Sequence, residues 1–186
     1  MSRKRRTTSK QPTWSDLKSQ LREMDQNALL ALIKDMYTAS KDNQAFLHAR
    51  FALGKDVLEP YKAIILRWVC PDIFRNQDYS VSRAQRAIAD YRKALGRAED
   101  TAELTVFYCE QCVCFLSSCG VDDEPYYDAL VRVFAQAIKA IAQLDAANQR
   151  AYIKRLEAIR SQGHRYGYGV GDDMDQMMSE FRFNVD

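Results

Sequence analysis

The 186-residue chain contains no run in which β-branched residues alternate over five positions, so it predicts no strand. It also has no apolar stretch approaching the length of a membrane-spanning helix. Its only histidines are His48 and His164, and neither lies beside the cysteines in the sequence. Residues 1–10 are basic, but Thr7, Thr8, Ser9, Gln11 and Pro12 follow where a secretory signal needs an apolar run. The five cysteines are odd in number, and four of them fall within eleven residues, unlike an extracellular disulfide framework. A reducing cytoplasm is the expected compartment.

What is present is amphipathic helix, almost without interruption. An apolar fraction of 47% and a charged fraction of 28% are those of a globular chain long enough to bury a core without metal or disulfide support. The charge is uneven. Residues 1–10 carry +5, residues 172–186 carry −4, and the remainder is close to neutral. The basic character therefore belongs to the tail.

Spacings of three and four predict a first helix from Ser15 to about Met24, burying Trp14, Leu17, Leu21 and Met24. Asp25 is placed to cap a second helix that buries Leu29, Ile33 and Met36. A third is expected over about Asn43–Leu53, with Phe46, Ala49 and Leu53 inward and Gly54 as its stop. The fourth presents Leu58, Tyr61, Ile65 and Trp68 and ends before Pro71. After a loop over 72–80, a Ser82–Gln85 capping box precedes the stripe Val81, Ala84, Ile88, Tyr91 and Leu95.

An Asp100–Glu103 box opens a long helix to Cys119, stopped by Gly120. Asp123, with Pro125 in the first turn, starts the clearest stripe: Tyr127, Leu130, Phe134, Ala137, Ile141 and Leu144. Asp145 begins the last core helix, with Tyr152, Leu156 and Ile159 inward. The predicted fold is all-α: antiparallel helical hairpins forming a bundle or a short helical-repeat module. Its organisation is a disordered basic tail (1–13), a helical domain (14–162), a Gly/Tyr loop (163–171) and an acidic amphipathic C-terminal helix (172–186) packed on the domain.

Cys109, Cys112, Cys114 and Cys119 invite a zinc or redox reading. At 100° and 1.5 Å per residue, Cys114 points away from the other three, and Cys119 lies about 15 Å along the axis from Cys109. One tetrahedral zinc cannot gather them, which leaves Cys109 and Cys112 as the only pair. The alternative is that cysteine acts as a small apolar residue in a helix buried on two sides. No metal and no cofactor is predicted.

Two segments carry binding potential. Arg3, Lys4, Arg5 and Arg6 have the charge density for phosphate contact, and Arg165, Tyr166 and Tyr168 place a cation and stacking rings on a glycine-rich loop. The same loop equally serves a sharp turn whose aromatics cover an apolar edge. Met174, Met177, Met178 and Phe181 recur at i, i+3, i+4 and i+7, backed by acids, as in a docking helix. That helix caps the array in cis or docks onto a partner in trans.

Four motifs come in a suggestive order: Asn43-x-x-Phe46-Leu47-x-Ala49-Arg50-Phe51, Leu58-x-x-Tyr61-Lys62, Asp123-Glu124-Pro125-Tyr126-Tyr127, and Tyr166-Gly167-Tyr168-Gly169 with Asp172-Asp173. On these the chain resembles an uncharacterised bacterial family known only as domain of unknown function six-one-five-five, over roughly residues 15–183. The resemblance implies a helical cytoplasmic protein without an assigned activity, and brings no catalytic residues.

The expected function is a non-enzymatic protein-interaction or scaffold module with an unidentified protein partner and no membrane association. The alternatives are a nucleic-acid-associated protein using the basic N-terminal tail, and a thiol-redox or zinc protein using Cys109 and Cys112. Self-assembly, with the Arg3–Arg6 tail of one copy meeting the Asp172–Glu180 helix of another, is a further expectation.

Overall fold

Apolar residues at helical spacing, punctuated by caps and proline turns, fold as the computed structural model shows. It describes residues 11–51, 53 and 56–182, and all its regular structure there is helical. The basic residues Arg3–Arg6 and the stop expected at Gly54 lie outside the described residues. The chain divides into two units, residues 1–44 and 45–186, where the periodicity alone predicts one helical domain over 14–162.

In the first unit, α1 (Trp14–Arg22) opens on Thr13, whose N–H and hydroxyl both donate to Asp16 Oδ2 at 2.8 and 2.7 Å. Asp25 caps α2 (Gln26–Ala39) by accepting the Ala28 N–H at 2.7 Å. Neither helix buries a residue. Trp14, Leu17, Ile33 and Met36, expected inside, are exposed, and Leu21, Met24 and Leu29 are half-buried. Two short helices without another layer cannot enclose an apolar stripe.

The helix α3 (Lys41–Arg50) begins in the first unit and ends in the second. Only Ala49 is buried there; Phe46 and Leu53, expected inward, are exposed. Helix α4 (Glu59–Val69) carries Pro60 in its first turn and stops ahead of Pro71, with Cys70 as its C-cap. A 3-10 turn (Ile73–Arg75) interrupts the connection that follows. Trp68 is half-buried, with the Arg67 and Arg83 guanidinium carbons 4.5 and 4.2 Å from its ring.

Helix α5 (Val81–Ala94) starts after Ser80, not at a Ser82–Gln85 box. Ser80 is extended while Val81 is already helical, so Ser82 sits inside the first turn, too late to act as the cap. The long α6 (Ala98–Cys119) likewise opens ahead of the expected Asp100–Glu103 box, after Arg97. Both acids have stronger tertiary partners. Asp100 accepts the Tyr91 hydroxyl, and Glu103 accepts Lys62 and Arg155. Gly120 ends α6 in the left-handed region at φ 60°, where a side chain is strained.

Helix α6 is the axis of the second unit, packed by α4, α5, α7 and α8. Burial on both sides explains why it lacks a single apolar stripe. Helix α7 (Glu124–Ile141) buries Tyr127, Leu130, Phe134, Ala137 and Ile141, as its periodicity predicts. Asp123 stands at its N-cap position, but its carboxylate accepts the Tyr79 hydroxyl at 2.8 Å and makes no cap bond. Asp145 does cap α8 (Ala146–Gly163), accepting the N–H groups of Ala147 and Asn148 at 3.0 Å. The architecture of this unit is an all-α bundle.

Helix α9 (Val170–Arg182) begins two residues before the expected start at Asp172. The Gly/Tyr connection narrows to 164–169, because Gly163 ends α8 and Gly171 lies inside α9. Two glycines make the crossing close. A Cβ on Gly163 would lie 3.1 Å from Met174 Sδ, and one on Gly171 would lie 2.9 Å from His164 Cα.

Candidate functional site

Helix α9 rests on α7 and α8. Met174, Met178 and Phe181 point into the core and are at most 5% exposed. Met174 and Met178 are therefore occupied at home and are not free for trans docking, while Met177 remains half-buried and Phe181 keeps one edge on an open groove. Arg160 on α8 and His164, its C-cap, both reach Asp175, His164 Nε2 at 3.2 Å. The Arg160 hydrogen bond holds the Asp175 carboxyl below its ordinary range against the opposing effect of burial.

Where α9 runs past the end of α7 and the start of α8, it leaves a groove of about 660 Å³. Its walls are apolar: Ala135, Ile138, Ala142, Ala146, Met177 and Phe181. Lys139, Gln149 and Glu180 complete the lining with one charge of each sign. Small residues on α7 and α8 create the space, since an alanine side chain cannot fill the gap that a leucine would close. The apolar spacing of α9 signals a docking helix, but the groove itself depends on the opposing alanines.

The Gly/Tyr connection is folded onto the bundle. The Tyr166 ring stacks on Tyr127 at 5.9 Å, and the Tyr168 ring lies 5.7 Å from Tyr127. The Tyr166 hydroxyl pairs with Ser117 Oγ at 3.0 Å and lies 3.3 Å from the Val113 carbonyl oxygen. One face of each expected stacking ring thus has an internal neighbour. Tyr168 remains 59% exposed, Arg165 is exposed, and Tyr168 takes the left-handed φ of 59° that turns the chain.

Cys109 and Cys112 are fully buried. Burial raises the Cys109 thiol well above its usual range and pushes Cys112 up to about 12, so both are held as thiols at neutral pH. Both side chains pack within the buried core of the second unit. Sequence reasoning missed a different neighbourhood: Cys70, at the end of α4, lies beside Cys114 and near Cys119. Burial first, and then Cys114, raises Cys70 to about 11. The link between Cys70 and α6 is tertiary, so helical spacing gave no sign of it. Among the described residues no group of three or more His, Cys, Asp or Glu side chains is placed to hold a metal ion.

A half-buried charge network ties α6 to α4 and α8. Arg155 donates bidentately to Glu110, at 2.7 and 2.8 Å, and singly to Glu103, while Lys62 reaches Glu103 at 2.7 Å. Burial alone would raise the Glu103 carboxyl, but the hydrogen bonds from Arg155 and Lys62 outweigh it and hold it below its ordinary value. Paired on all sides, these charges join α4, α6 and α8 as structural cross-links.

Fold and groove together define a class: an all-helical bundle with an open apolar groove beside its last helix. No family model matches the chain, and no curated protein and no solved structure matches it. Among the described residues no helix is long and apolar enough to cross a membrane.

Proposed function

We propose that the protein is a non-enzymatic interaction module that receives an amphipathic helix of a protein partner in the groove beside α9. The groove carries this reading. At about 660 Å³ it has room for a few large apolar side chains, and its walls are helices, against which a fourth helix packs by ridges and grooves. Anchors at i, i+3, i+4 and i+7 are the recognition mode such a surface favours. Lys139 and Glu180, of opposite sign, favour a partner helix with complementary charges beside its apolar stripe. A reducing cytoplasm as the working compartment is supported by five free thiols. Membership of domain of unknown function six-one-five-five is proposed on its four sequence motifs.

The test uses a photo-crosslinking residue at exposed Ala142, in the groove, and a second at exposed Asp128 on the outer face of α7. The expected result is a discrete protein adduct from position 142 that is missing from position 128. Filling the groove by Ala146→Trp should abolish it. Equal adducts from both positions, or adducts indifferent to Ala146→Trp, refute the groove as the docking site.

A further inference from the structure

Among the described residues, the first unit presents large apolar side chains on both of its complete helices and buries none of them. Trp14, Leu17, Leu30, Ile33 and Met36 are 67, 51, 56, 45 and 52% exposed. On α2, Leu29, Leu30, Leu32, Ile33 and Met36 fall within an arc of about 160° at 100° per residue. An ordinary core-facing stripe needs little more than about 100°. Helices of 9 and 14 residues are marginal alone in water, so α1 and α2 depend on something that covers this arc.

We infer that the covering surface is the same region of a second copy, with the two α2 helices packed antiparallel about a two-fold axis at Ile33. Three observations select a second copy. First, the exposed residues Leu30, Ile33 and Met36 are placed symmetrically about Ile33. Antiparallel pairing sets Leu30 opposite the partner's Met36 and Ile33 opposite itself, the self-complementarity a two-fold interface requires.

Second, residues 14–39 carry Asp16, Glu23, Asp25 and Asp35 against Lys18, Arg22 and Lys34, a net −1 with mixed signs. Charges of both signs on this segment let two copies pair without net repulsion between the helices themselves. Third, roughly 100 Å² of each of the five apolar side chains is open. The α2 trio alone would remove about 600 Å² from two copies, and an interface that also covers Trp14 and Leu17 of α1 would reach about 1,000 Å², the lower bound of a specific interface. The inference is independent of the groove beside α9.

Sedimentation equilibrium of the full chain tests it. The expected mass is twice the 21.4 kDa of one chain at tens of micromolar. Ile33→Glu places two acids on the axis and should weaken dimerisation at least about 100-fold, because two buried isoleucines are lost together. Ile33→Lys should do the same, and mixing the two variants should restore the dimer. Phe74→Glu, at a 95% exposed position outside the first unit, should leave it intact. Circular dichroism of each variant separates lost association from lost folding. A monomeric wild-type chain would assign the apolar arc to another occupant and overturn the inference. So would a dimer indifferent to Ile33→Glu, or a charge-swapped mixture that stays monomeric although both variants are folded.

Discussion

Replacing Gly171 by alanine perturbs one crossing point without touching the groove walls. The added methyl would lie 2.5 Å from His164 Nδ1, 2.8 Å from its Cγ and 2.9 Å from its Cα. The imidazole can swing aside, since its side chain is half exposed, but the Cα belongs to the end of α8. Helices α8 and α9 must then separate by several tenths of an ångström. Overpacking of this kind costs about 1–3 kcal/mol. Alanine gains up to about 1 kcal/mol over glycine in a helix. The expected net loss is about 1–2 kcal/mol, or roughly 3–6 °C in Tm for a chain of this size. Urea unfolding followed by Trp68 fluorescence in a Trp14→Phe background restricts the signal to the second unit. Gly167→Ala, with nothing within 4 Å of the added methyl, is the control and should change stability little. A Gly171→Ala protein as stable as the parent would refute the close crossing and with it the placement of α9.

Arg155→Ala removes three charge-assisted hydrogen bonds and leaves Glu110 and Glu103 underpaired, an expected loss of about 2–3 kcal/mol in urea unfolding. Because Glu103 is held below its ordinary pKa of 4.5 when folded, its contribution is present above that value and is lost as pH falls through the lower folded one. The parent should therefore lose stability below about pH 4.5 more steeply than Arg155→Ala; parallel acid profiles would contradict the pairing. Native labelling with a maleimide, mapped by peptide mass spectrometry, should modify exposed Cys114 first and leave Cys109 and Cys112 unmodified until the chain unfolds. Tyr126→Phe deletes a 2.5 Å bond to the buried Val69 carbonyl and should cost about 1–3 kcal/mol by thermal unfolding.

Much of the second unit was legible in the order of residues. Stripes such as Tyr127–Leu130–Phe134–Ala137–Ile141, proline in a first turn, and a left-handed glycine at a helix end are local signals with a fixed period. The caps were less legible. Asp25 and Asp145 act as their positions suggest, whereas Asp100, Glu103 and Asp123 find partners 9, 41 and 44 residues away in the chain. A carboxylate that looks like a cap has the same composition whichever bond it makes.

The candidate site was legible only in part. The apolar spacing of Met174, Met177, Met178 and Phe181 identifies an amphipathic helix, but its cover over α7 and α8 is a tertiary fact. So are the groove left beside small alanines and the nearness of Cys70 to Cys114. Apolar periodicity also misjudged Trp14, Leu17, Ile33 and Met36, because a stripe states that a surface needs covering and not what covers it.

The sequence by itself determined helical class, helix positions to within a few residues and the two-sided burial of the cysteine-bearing helix, since all three follow from local spacing. Tertiary structure decided which acids cap and which cross-link, where the groove opens and which apolar arc is left exposed. Those outcomes depend on which surfaces meet, and each meeting is fixed by packing between residues far apart in the chain.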